Sequence, residues 1–143
     1  MDDLLTIDYH QFSNIKLTGI DLDSQSLSLA QENAKAHHID FTEFKQENAW
    51  NLKDTSQFDI LISNGLNIYE GNEEKLVQLY KNFHQALKSG GILITSFITP
   101  SPQQSKQSPW KNVDIKAAGF QVKEVIYDSQ GLFPTLVATK VDA

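Results

Sequence analysis

Ile15-Lys16-Leu17-Thr18-Gly19-Ile20-Asp21 is a short β-rich run that ends on an acid, and a second acid, Asp23, follows two residues later. Asp is among the preferred helix N-caps. Leu27, Ala30 and Ala34 then share one helical face, which predicts a helix from Asp23 to His37. A strand that hands a carboxylate to a helix start is the joint of a βα unit, and the alternation continues on both sides. Upstream, Leu4, Leu5, Tyr9 and Phe12 fall at helical spacing and predict a helix over 4–12. Downstream, Phe41 to Gln46 reads as a weaker strand and Asn48-Ala49-Trp50-Asn51 as a loop. Phe58 to Ser63 is almost continuously apolar, as in a strand covered on both faces.

The second half is clearer still. Asn72 caps a helix whose Leu76, Leu79, Tyr80, Phe83 and Leu87 form one core-facing stripe. Glu73 and Glu74 open that helix, Lys88 closes it, and Gly90 stands where a left-handed residue ends it. Ile92 to Thr99 is the next strand, stopped by Pro100, and 100–112 is a surface loop. Phe120 to Tyr127 and Leu132 to Val141 form a hairpin around Asp128-Ser129-Gln130-Gly131, with Pro134 suited only to the beginning of the last strand. Alternating helices and strands of this kind build an α/β layered domain with a mostly parallel sheet.

Composition narrows the function. The 143 residues are 40% hydrophobic and 21% charged, enough for one cored domain. Eighteen acids against twelve Lys and Arg leave a net charge of -6, which argues against partners that are phosphate backbones or anionic membranes. No apolar stretch approaches the roughly 20 residues of a membrane span. The acidic opening Met1-Asp2-Asp3 is unlike a secretory signal, and the absence of cysteine suits a reducing compartment, so the expectation is a cytoplasmic protein. His10, His37, His38 and His84 lack metal-ligand spacing, so no metal is expected. Without cysteine or a GxSxG elbow, neither a thiol nor an elbow serine is available as nucleophile.

With these residues at the joints, the chain resembles the Rossmann-like (class I) S-adenosylmethionine-dependent methyltransferases from about Ile15 to Lys140. Gly19-Ile20-Asp21 before a capped helix looks like the family's second strand with its ribose-binding acid. Phe58 to Asn64 looks like its fourth strand, and Leu87-Lys88-Ser89-Gly90-Gly91 like its turn into the fifth. Ala117-Ala118-Gly119-Phe120 leads into the antiparallel ending that separates these enzymes from nicotinamide-binding Rossmann domains. The resemblance implies a three-layer sheet, mostly parallel with an antiparallel C-terminal hairpin, in one domain over 1–143. It also implies S-adenosylmethionine as cofactor and methyl transfer to a small-molecule acceptor.

One departure bears on the cofactor. The family's first strand and glycine-rich loop have no counterpart before the first predicted helix, so the expected sheet lacks its first strand. Those glycines let the backbone approach the cofactor closely. The expectation is therefore a truncated frame or a domain completed by another chain, with self-association of a homo-oligomer through exposed strand edges.

The resemblance also implies a cofactor set. Asp21 would accept the ribose hydroxyls, for which a carboxylate at a strand end has the acceptors; its other use is as a solvent-facing acid or cap. Leu22 would flank the adenine. Asn48 would meet the adenine amino group, Ala49 would offer its N–H to a ring nitrogen, and Trp50 would cover the purine face or else serve the core. Asn64, at the carboxyl end of the Phe58–Ser63 strand, would bond the amino acid portion of the cofactor or shape a polar turn, with Asn67 and Tyr69 near substrate or in that turn. Ser96, Phe97 and Trp110 would line a substrate pocket, or serve as core and loop anchor. Asn64-Gly65-Leu66-Asn67 lacks the Asn/Asp-Pro-Pro-aromatic motif of amino-methylating enzymes on nucleic acid. Displacement at a sulfonium methyl needs alignment more than acid–base groups, and no catalytic base is identified. Two other readings remain: a non-catalytic methyltransferase-like remnant acting as a binding or assembly module, and a nicotinamide-dependent oxidoreductase.

Overall fold

The computed structural model describes residues 5–97, 115–131 and 133–142, in two compact units, Met1–Ala49 and Trp50–Ala143. The predicted loop over 100–112, with Trp110, and the end of the strand beyond Phe97 lie outside the described residues.

In the first unit, β1 (Leu17–Asp21) pairs in parallel with β2 (Thr42–Gln46), joined by α1 (Ser24–Ala36). Asp23 caps α1 as its sequence predicts, its carboxylate accepting the N–H groups of Gln25 at 3.1 Å and Ser26 at 3.2 Å and the Ser26 hydroxyl at 2.8 Å. These bonds hold its acidity above the usual carboxylate range, with a lowered pKa. Gly19 lies opposite Phe44, and a Cβ on it would stand 2.8 Å from the ring, so the strand has glycine where the aromatic covers it. The helix predicted over 4–12 is not what forms. Asp8 starts a 3-10 turn, Tyr9–Gln11, by accepting the His10 N–H, and Tyr9 packs edge-on against Phe41 at 5.1 Å. β-Branched Thr6 and Ile7 disfavour a continuous helix ahead of that cap.

The second unit is a four-stranded sheet in the order β3 (Phe58–Ser63), β4 (Leu87–Ser96), β6 (Thr135–Lys140), β5 (Phe120–Ile126). β3 and β4 run parallel, whereas β6 is antiparallel to both its neighbours, so this sheet is mixed. α2 (Glu73–Ala86) lays Leu76, Leu79, Tyr80 and Phe83 on a core with Leu87, Leu93, Phe120 and Ala138. Leu87, predicted as the helix's last stripe residue, instead begins β4. The helix stops because its last carbonyls are taken by the loop before β3, Ser56 N–H to Gln85 O and Gln57 N–H to Ala86 O.

β3 departs from its reading as a strand covered on both faces. It lies at the sheet's edge, with Ile60 54% and Ile62 47% exposed. The apolar run is correct as a strand, but among the described residues only β4 pairs with it. β1 likewise has β2 as its single ladder partner among them. No helix among the described residues is long and apolar enough to cross a membrane.

Candidate functional site

The carboxyl ends of β1 and β2 meet in register, Asp21 beside Gln46. The pairing continues one step past the strands, because Glu47 N–H donates to Asp21 O at 3.1 Å and Gln46 Nε2 donates to Leu22 O at 2.9 Å. Asp21, Leu22, Asn48 and Ala49 are thereby gathered at one edge of the first unit, the edge at which open α/β sheets take ligands. Gln46, which clamps that edge, carries no signal in the sequence, since its role depends on a partner 24 positions away.

Asp21 is the last residue of β1 and is exposed. Its Oδ1 accepts the Asp23 N–H at 2.9 Å, which turns the chain into α1. A carboxylate has about four acceptor positions, so that one bond leaves Oδ2 and a lone pair of Oδ1 for a diol. Leu22 beside it is 61% exposed, an apolar face turned outward rather than packed. Asn48 and Ala49 are half-buried, with Ala49 opening a 3-10 turn, Ala49–Asn51.

Trp50 and Asn64 belong to the second unit. Trp50 packs against the apolar cluster under α2, and its carbonyl accepts Asn82 Nδ2 at 2.8 Å. Asn64 is exposed immediately after β3, where Gly65 turns back at φ 78° into the short 3-10 turn Leu66–Tyr69. In that turn Asn67 is buried while Tyr69 is 85% exposed. Phe97 is half-buried and stacks on Tyr80 at 6.3 Å. His84 is a structural histidine: its Nε2 meets Val141 O at 3.0 Å and its ring lies edge-on to Phe120 at 5.3 Å. Among the described residues no His, Asp and Glu cluster could hold a metal.

A parallel βα unit whose first strand ends in an exposed acid, in one unit, and an antiparallel C-terminal hairpin, in the other, are elements of a Rossmann-like α/β fold. Residues 3–130 match the family described as methyltransferase domain. The chain belongs to that family, a class I S-adenosylmethionine-dependent methyltransferase fold. It is 27% identical to the ribosomal protein L11 methyltransferase of Shouchella clausii over 85% of this chain and 36% of that enzyme. A solved protein of Bordetella parapertussis, described as a possible exported protein, superposes with a TM-score of 0.88 at 33% identity, covering 99% of this chain and 59% of that one. A SAM-dependent methyltransferase of Methanosarcina mazei shares the fold at a TM-score of 0.62 and 18% identity, over 90% of this chain and 83% of its own. The chain spans about a third of the length of the curated relatives it matches.

Proposed function

We propose that this chain acts as one methyltransferase-like domain that carries S-adenosylmethionine-dependent methyl transfer to a small-molecule acceptor. The observation behind this reading is Asp21: an exposed carboxylate at the carboxyl end of a parallel strand, with acceptor positions uncommitted by its own turn. The donor set suits a nucleoside. Asp21 would take the ribose hydroxyls and Leu22 one face of the adenine, while Asn48 offers an acceptor and Ala49 an N–H to its polar edge. The cofactor, when bound, supplies an electrophilic methyl on a sulfonium; the protein's part is to bind and align, and exclude water.

A second acceptor class is favoured by one comparison, because the Shouchella relative is named for a protein substrate, ribosomal protein L11. Incubation with methyl-labelled S-adenosylmethionine and a fractionated cell extract separates these outcomes. Label in the small-molecule fraction supports the proposal, and label in the protein fraction overturns its acceptor. A folded sample that neither transfers label nor binds S-adenosylhomocysteine is a binding or assembly module. The exposed edge of β3 is where a second copy would add to the sheet. Ile62→Lys should then abolish any dimer seen by sedimentation, and a monomeric wild type refutes this part of the reading.

A further inference from the structure

The turn from β1 into α1 hangs on a single peptide group. The carbonyl of Leu22 and the N–H of Asp23 belong to one planar unit, which rotates only as a whole. Gln46 Nε2 donates to the Leu22 carbonyl at 2.9 Å, and the Asp23 N–H donates to Asp21 Oδ1 at 2.9 Å. The plane is therefore held at both ends, by the Gln46 amide on one side and the Asp21 carboxylate on the other. A second anchor lies just before it, where the Asp21 carbonyl accepts the Glu47 N–H at 3.1 Å. All of these residues belong to the first unit.

These contacts form a series with Gln46 at its head and the Asp21 carboxylate at its end. Asp21 and Gln46 are ladder partners in a parallel pair, so their side chains leave the same face of neighbouring strands. From that place a glutamine reaches past Asp21 to the next carbonyl. Stability does not account for the bond. Gln46 and Leu22 are both exposed, and at an exposed turn water is an alternative donor to the carbonyl. Ordering a glutamine side chain also costs about as much as one such bond returns.

What the bond adds is orientation. Fixing the Leu22 carbonyl fixes the N–H across the same plane, and that N–H selects the rotamer of the Asp21 carboxylate. Hydrogen bonds in series also polarise one another, which strengthens the bond to Oδ1. The rotamer so selected commits Oδ1 to the turn and leaves Oδ2 for a ligand.

We propose that Gln46 is a positioning residue for the nucleoside: through the Leu22–Asp23 peptide it sets the Asp21 carboxylate for the ribose hydroxyls. This rests on the reading of Asp21 given above, and it involves residues of the first unit alone.

The test compares adenosine with 2′-deoxyadenosine, which lacks one hydroxyl of the diol. Each is titrated into the full chain, shown to be folded by circular dichroism, and binding is followed by nuclear magnetic resonance. The wild type is expected to prefer adenosine by about ten-fold, and Asp21→Ala to remove that preference. Gln46→Met, of similar length but without a donor, should weaken adenosine by roughly three- to five-fold and 2′-deoxyadenosine by less than about two-fold. In the Asp21→Ala background it should cost adenosine less than about two-fold. Gln46→Glu also lacks the donor, should narrow the preference alike, and covers the case in which Gln46→Met does not fold. An unchanged preference in the Gln46 variants, or an equal loss for the two nucleosides, overturns the proposal and leaves the reading of Asp21 standing. A wild type that binds neither nucleoside or both equally, or an Asp21→Ala protein that keeps the preference, overturns the reading of Asp21 and this inference with it.

Discussion

Gly119→Ala tests the packing that closes the C-terminal hairpin on α2. Gly119 has φ 92°, and a Cβ built there would stand 2.8 Å from His84 Nε2 and 2.9 Å from its Cδ2. Strain for a non-glycine residue at positive φ is about 1–2 kcal/mol. The His84 ring must also withdraw, giving up its 3.0 Å bond to Val141 O, which adds roughly 0.5–1.5 kcal/mol. Together these predict a loss of about 1.5–3.5 kcal/mol, or roughly 5–14 °C in melting temperature for a chain of this size. Urea denaturation followed by tryptophan fluorescence measures the loss. In a His84→Ala background the steric part disappears and only the backbone part, about 1–2 kcal/mol, should remain. A Gly119→Ala protein as stable as wild type, or an equal loss in both backgrounds, refutes the account of this glycine.

Two further outcomes follow from the first unit. Gly19→Ala should cost about 1–2 kcal/mol, because overpacking against Phe44 outweighs the entropy gained, and it should become neutral or stabilising in a Phe44→Leu background; an unchanged cost there contradicts the contact. For Asp23 the folded pKa lies below the unfolded value of about 3.9, so its contribution is fully present above that value and lost as pH falls through the folded one. Asp23→Asn keeps a cap but no charge, and urea midpoints from about pH 6 downward should therefore decline less steeply in the variant; parallel declines would show that the charge does not matter.

Local chemistry made much of this fold legible. Asp23 and Asn72 cap helices where their side chains allow it, whereas Gly90, expected to end α2, takes a left-handed conformation inside β4, four residues past the helix's last residue, Ala86. Pro134 sits just before β6, the place a proline can occupy without breaking the ladder. Long-range effects were not legible. The exposure of Ile60 and Ile62 depends on which strands flank β3, and apolar pattern carries no information about that. Leu87 fits the helical stripe and is equally buried as the first residue of β4, so periodicity could not divide the two elements. The first helix failed because Asp8 offered a competing cap. Of the candidate site, Asp21 and Asn64 were legible as polar residues at strand ends. The Gln46 clamp and the Tyr80–Thr95 contact were not, since each joins residues distant in sequence.

Calorimetric titration of S-adenosylhomocysteine into the wild type and Asp21→Ala bears most directly on the claim that a nucleoside cofactor is held by the carboxylate at the end of β1. Saturable binding, weakened ten-fold or more by the substitution, is the predicted result, since one charge-assisted bond alone is worth about 1.5–3 kcal/mol. Equal affinity for the two proteins would contradict it.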